Sequence, residues 1–340
     1  MSVAVAEQLK PMEDFLKLKP DLKYIFFGGK GGVGKTVMAG AAALWFASQG
    51  RKTLLASTNP VHSLSSLLAQ NVFGTETPVN GVPNLWAYEI DTTETIEKSK
   101  RDIAEKIKWF LKFADIPTQA DAFVETATMN PAFEESAMFE NMVNIMFEDK
   151  YDVYVFDTAP TANARRLLGM SKVYTLWVGK MLDSRKEAQA VRLSLSFRKK
   201  QEKDPLLDYL LSFQDRIGEA KKLLTDDAKT AFFFVTLPEA LPIAVIRRFI
   251  GWFHDFGIPV GGVVVNGVIN VDTGMAAGAS GAGPGELSQF VVNRIEMQKG
   301  YLDQIFDTFT EVRAVVPLYE TEVRGPEMLK RVAGDLFPGI

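Results

Sequence analysis

The chain has 340 residues, 47% of them apolar, which is enough for one large core or two modest ones, and 38 basic against 42 acidic side chains leave a formal charge of -4. That balance provides no overall field favouring nucleic acid or an anionic membrane, so no nucleic-acid partner is expected. With no cysteine and two histidines, disulfides, thiolate metal sites, cysteine nucleophiles and a histidine-rich zinc cage drop out together.

The opening stretch MSVAVAEQLKPMEDFLKLKP carries acidic residues and a proline where a secretory signal needs an unbroken apolar core. No later apolar run approaches about 18 residues without a charge, and a cytoplasmic location is the expectation. Lys23 to Phe27 (KYIFF) is an apolar run that ends in glycines, followed by the alanine-rich helical stretch KTVMAGAAALWFASQG, stopped by Gly50. Further strands are predicted over Lys52 to Thr58, Leu85 to Asp91, Tyr151 to Thr158, Ala231 to Leu237, Gly261 to Ile269 and Val312 to Leu318. Continuous apolar strands separated by helical segments fit a parallel sheet covered on both faces.

The expected fold class is therefore α/β with a doubly wound, mostly parallel sheet, with residues 1–340 forming one domain. Two segments, about 95–148 and 163–229, read as helical without a convincing strand, which predicts a helical subdomain inserted between core strands. Within the first, Met138, Met142 and Met146 recur at helical spacing. Such a stripe serves either the core or an adaptable cargo groove. The basic cluster Arg198, Lys199, Lys200 reads as a solvated face, and the Gly/Ala-rich Asp272 to Glu286 as a loop.

Between the first strand and the first helix lies GGKGGVGKT, Gly28 to Thr36. Gly29, Gly34, Lys35 and Thr36 satisfy G-x-x-x-x-G-K-[ST] in the context that pattern requires. Backbone N–H groups of Gly29, Lys30, Gly31, Gly32, Val33 and Gly34 can then converge on phosphate oxygens at the positive end of the following helix. Lys35 would reach the β- and γ-phosphates of ATP, and Thr36 would ligate Mg²⁺. A carboxylate should end another buried strand to hold the Mg²⁺ shell, and VYVFDTAPT supplies Asp157.

KGGVGKT, LLASTNPVHSLSSLL, YDVYVFDTAPT and VPLYETEVRG, in this order, closely resemble the arsenite-pump (ArsA-like) and tail-anchored-protein-targeting ATPases, a deviant-Walker-A family of P-loop NTPases. The resemblance runs from about Lys23 to Gly325. It implies a homodimer in which Lys30 reaches across to the phosphates bound by the other subunit. It also implies that Pro60, His62, Pro160 and Thr161 lie in nucleotide-sensing switches, that Asn266 reads adenine, and that Pro317 and Leu318 belong to the loop over the base.

Several positions depart from that family. Its targeting branch clamps zinc at the dimer seam with a CxxC pair, where this chain has Ser288 and Val291, neither a thiolate ligand, so no zinc is expected. The arsenite branch binds its metalloid through cysteines, which this chain lacks. Where the family reads Asp-Pro in the first switch, this chain reads Asn59-Pro60. An amide positions water but cannot take its proton, so hydrolysis is expected to be slow while ATP binding is untouched.

The resemblance therefore implies a homodimeric ATPase coupling nucleotide-driven closure to a protein client or partner, with the helical insert as the place for a client. A binding switch with negligible turnover, and the soluble subunit of an anion pump with a membrane partner, stay open beside it.

Overall fold

The computed structural model describes residues 8–58, 63–113, 131–158, 205–269 and 288–338. Asn59, Pro60, His62, Pro160, Thr161, the basic cluster at Arg198 to Lys200 and the loop expected over Asp272 to Glu286 lie outside the described residues.

In chain order the elements are α1 (Met12–Leu18), β1 (Tyr24–Gly28), α2 (Lys35–Ser48), β2 (Thr53–Ser57), α3 (Ser63–Leu68), β3 (Thr77–Pro78), β4 (Leu85–Glu89), α4 (Thr92–Phe113), α5 (Pro131–Phe147) and β5 (Val153–Asp157). They continue with α6 (Pro205–Thr225), β6 (Thr230–Thr236), α7 (Ala240–Asp255), β7 (Val260–Val268), α8 (Gln289–Thr308), β8 (Val312–Pro317) and α9 (Gly325–Leu336). The strands form one eight-stranded sheet in the order β3-β4-β2-β5-β1-β6-β7-β8. Every pairing is parallel except that of β3 with β4. The fold is thus the α/β P-loop NTPase type expected, with the two-residue edge strand β3 as an addition.

The continuous apolar runs arise because both faces of the sheet are covered. Each residue of β1, β2, β5 and β6 is buried, whereas β4, next to the short edge strand, alternates buried and half-buried. On one face Ile25, Phe27, Leu55, Val155 and Phe233 join a core with α2 and α9. On the other, Phe26 stacks between Phe156 at 4.9 Å and Phe232 at 4.2 Å, and Phe253 of α7 meets Phe232 and Phe234 edge-on. Alternate residues of one strand thus serve opposite layers.

The alanines of α2 are buried at Ala39, Ala41, Ala42, Ala43 and Ala47, and such small side chains allow a helix to lie close on the sheet. Toward its far end, Trp45 lies flat on Phe337, with ring centroids 4.3 Å apart. The chain leaves β1 toward β2 on one side and, after β5, passes to β6, β7 and β8 on the other. The end of β1 is therefore a topological switch point, where open α/β sheets form their ligand crevice.

The chain separates into two compact units. One comprises the sheet with α1–α3 and α7–α9; the other comprises nearly all of α4, most of α5, and α6. Met138, Met142 and Met146 are buried, so the methionine stripe of α5 is interior packing and not an exposed groove. Among the described residues no helix is long and apolar enough to cross a membrane.

Candidate functional site

β1 ends at Gly28 and α2 begins at Lys35, so the intervening glycine-rich loop sits at the switch point. Gly29 and Gly34 are required by their surroundings. Both have positive φ, 148° and 93°, and a Cβ would strike the Val235 carbonyl at Gly29 and the Asn266 amide at Gly34. Gly34 is the N-cap of α2 and offers no side chain to the helix's first N–H groups, which leaves them for an anion. Gly31 and Gly32 are exposed, whereas Val33 is buried.

Inside the loop, Lys35 is 8% exposed and donates from Nζ to the Lys30 carbonyl at 3.2 Å. Burial holds its ammonium below the usual lysine range, opposed by the charge of Asp157. The side chain of Lys30 is half-buried, and among the described residues its ammonium has no hydrogen-bond or ion-pair partner.

Asp157 ends β5 beside β1, in register with Phe27 on one side and Ser57 on the other. Its Oδ2 accepts from the Thr36 hydroxyl at 2.7 Å and the Ser57 hydroxyl at 3.1 Å. Its Oδ1 is buried with no hydrogen-bond partner among the described residues. Burial pushes the carboxyl upward; the Thr36 hydroxyl, Lys35 and Ser57 pull it down, and nearby Glu89 adds to the rise. An orphaned carboxylate oxygen beside a threonine hydroxyl at the first turn of α2 is a donor set suited to a hard divalent cation. No cluster of three or more His, Cys, Asp or Glu able to hold a metal occurs among the described residues, so a cation here would take the rest of its oxygens from water or phosphate.

Across the sheet, Asn266 near the end of β7 donates from Nδ2 to the Val33 carbonyl at 2.9 Å. A carbonyl can only accept, which fixes the amide's orientation. Pro317 ends β8, and Leu318, 48% exposed, donates its N–H to the Val268 carbonyl at 2.8 Å. Of the expected site residues, the structure thus gathers Gly29 to Thr36, Asp157 and Asn266 through direct contacts. It brings Pro317 and Leu318 to the neighbouring end of β7, and Asn59 lies outside the described residues.

Three contributors were not picked out by motif. Ser57 shares Oδ2 of Asp157 with Thr36. Glu89, fully buried and in register with Ser57, accepts from the N–H of Leu64 at 2.9 Å and from Ser65 Oγ at 2.5 Å, and so anchors the start of α3. Gln298 of α8 bonds the chain on leaving β7. Buried polar residues in otherwise apolar segments were the available signal, but their partners are far away in sequence.

Residues 22–338 match the family described as anion-transporting ATPase. The chain is 31% identical over 319 residues to a Paramecium tetraurelia protein named ATPase ASNA1 homolog 2, covering 92% of each. It is 30% identical to Arabidopsis thaliana ATPase GET3A, covering 91% of this chain and 82% of that one. A Halobacterium salinarum protein named putative arsenical pump-driving ATPase is 31% identical over 94% of this chain and 44% of its own length. Phosphate-loop geometry, parallel-sheet topology and near full-length similarity agree, and the chain belongs to the anion-transporting (ArsA-type) ATPase family.

Proposed function

We propose that the chain binds ATP with Mg²⁺ and works as a homodimer whose closure is driven by nucleotide and coupled to a protein client or partner, with slow hydrolysis. The observation that carries this reading is the Lys35, Thr36 and Asp157 cluster, in which a buried ammonium and an orphaned carboxylate oxygen face the end of β1. Lys35 and the loop N–H groups would bind the phosphates. Thr36 Oγ1 and Asp157 would hold Mg²⁺, which neutralises charge on the β- and γ-phosphates. Asn266 retains one N–H and its carbonyl oxygen for the edge of adenine, and Leu318 presents an apolar face to cover the ring.

The trans role of Lys30 is supported by a half-buried ammonium with no partner among the described residues. A cation supplied by the second subunit would stabilise charge developing in phosphoryl transfer. Sedimentation with ATP and Mg²⁺ tests it. Wild type should dimerise and Lys30→Ala should not; a Lys30→Ala chain that dimerises like wild type refutes the trans role.

Asn59 favours a second reading, an ATP-controlled binding switch with negligible turnover. Loss of a single base or water-positioning group commonly costs on the order of 10²–10⁴ in rate. Asn59→Asp should therefore raise single-turnover hydrolysis by that order without tightening ATP binding. Equal rates in the two proteins would remove the switch reading.

A further inference from the structure

Gln298 is 5% exposed in the middle of α8, yet both ends of its amide bond to backbone outside that helix. Its Oε1 accepts the Ile269 N–H at 2.8 Å, and its Nε2 donates to the Gly267 carbonyl at 3.0 Å. These groups flank Val268, whose carbonyl accepts the Leu318 N–H at 2.8 Å. A single side chain therefore ties α8 to the exit of β7 at the point where that exit is joined to the exit of β8.

The next residue toward the strand is Asn266, bonded to Val33 of the phosphate loop. Between Asn266 and the clamp, Gly267 turns the chain at φ 72°, a region that glycine enters without steric cost and that provides no stiffness of its own. The Val33 bond fixes which end of the Asn266 amide is which, but the backbone that carries it must be held by something else. A buried amide is costly unless bonded, and Gln298 satisfies donor and acceptor together by holding this one turn.

We propose that Gln298 is the positioning residue for purine recognition: it sets the β7 exit so that Asn266 meets adenine with its donor and acceptor in the right order and Leu318 lies over the ring. The inference rests on the base-reading role given to Asn266 above. With one N–H of Asn266 engaged by Val33, the remaining N–H and Oδ1 match the N7 acceptor and N6–H donor of adenine. Guanine offers N7 and O6, two acceptors, and sets O6 against Oδ1. Discrimination by such a pair depends on orientation, and loosening the turn removes it without touching the phosphate loop's own glycines or Lys35.

The test uses the full chain with Mg²⁺ and compares equilibrium binding of ATP, GTP and inorganic tripolyphosphate. Wild type should prefer ATP to GTP. Gln298→Met keeps the length and burial of the side chain and deletes both bonds. It should weaken ATP about tenfold, hold tripolyphosphate within about twofold, and bring the ATP-to-GTP ratio close to one. Gln298→Glu, which keeps the acceptor for Ile269 but sets a carboxylate against the Gly267 carbonyl, should move the ratio the same way and carries the test if the methionine variant does not fold. An unchanged ratio in the variant that folds, or parallel losses of ATP and tripolyphosphate, overturns the role of Gln298. Wild type with no ATP preference overturns the base-reading role of Asn266, and this inference with it.

Discussion

At the proposed phosphate end, the groups brought together come from eight consecutive residues, Gly29 to Thr36, joined by Asp157 from the adjacent strand. At the proposed base end they come from β7, from the residue after β8 and from α8, and each is held by a hydrogen bond to a different element. The phosphate end contains buried charge: a lysine held down and an aspartate pushed up by burial. The base end contains neutral amides with their partners in place. The difference teaches where each end puts its free energy. On the proposed reading, the first is under-satisfied until an anion and a cation arrive, whereas the second has its hydrogen bonds in place beforehand.

The comparison is broken most severely at Lys35. Lys35→Ala should weaken ATP by about 100-fold or more, equivalent to about 3 kcal/mol, because a charge-assisted contact is lost. Titration calorimetry with Mg²⁺ and ATP measures it, and a loss below about threefold would mean that the backbone alone binds the phosphates.

At the other end, Asn266→Ala should cost ATP about tenfold and tripolyphosphate almost nothing. Parallel losses in the two ligands would show that the Asn266–Val33 bond shapes the phosphate loop itself and that the two ends are not separable.

The smallest effect is one of stability and sharpens the electrostatic side of the contrast. Asp157 has a folded pKa raised above its ordinary 3.8, so between the two values the folded chain holds more proton than the unfolded one. Stability from this group therefore falls as pH rises through that window, and the cost persists above it. Lys35 has a lowered folded pKa, so between that value and 10.5 the unfolded chain holds more proton and stability rises with pH. As pH rises from 3.8 through that window, then, the melting temperature of wild type should fall relative to that of Asp157→Asn. Mg²⁺ with ATP should offset the deficit in wild type only. Parallel curves would show that the orphaned oxygen costs nothing.

The phosphate end was legible in the sequence because its parts are contiguous and their spacing is set by the loop itself. Asp157 was legible because a lone carboxylate closes an apolar strand. The base end was harder to read. Gln298 lies 31 residues from Gly267 and its role exists only once α8 folds back on β7. The resemblance implied that Asn266 reads adenine but showed nothing of its bond to Val33, which spans 233 residues. Glu89 read as one residue of a strand over Leu85 to Asp91, since nothing local shows that α3 packs its first N–H groups against it. Most of the sheet followed from apolar runs, whereas β3, two residues ending in proline, gave no periodicity. The spacing of Met138, Met142 and Met146 marked a helix face without telling core from groove, and burial decided for the core.

Trp45 makes the far end of the phosphate-loop helix visible in light. Its indole N–H is buried and has no acceptor among the described residues, and its ring lies within 8° of parallel to Phe337. The ring as a whole is only partly buried, and entry of water or an acceptor at the indole N–H moves its emission to the red. Because α2 begins at Lys35, a shift of the helix along its axis slides this ring across Phe337. With the other four of the five tryptophans replaced by phenylalanine, fluorescence would follow the phosphate loop from its opposite end, with no dye attached.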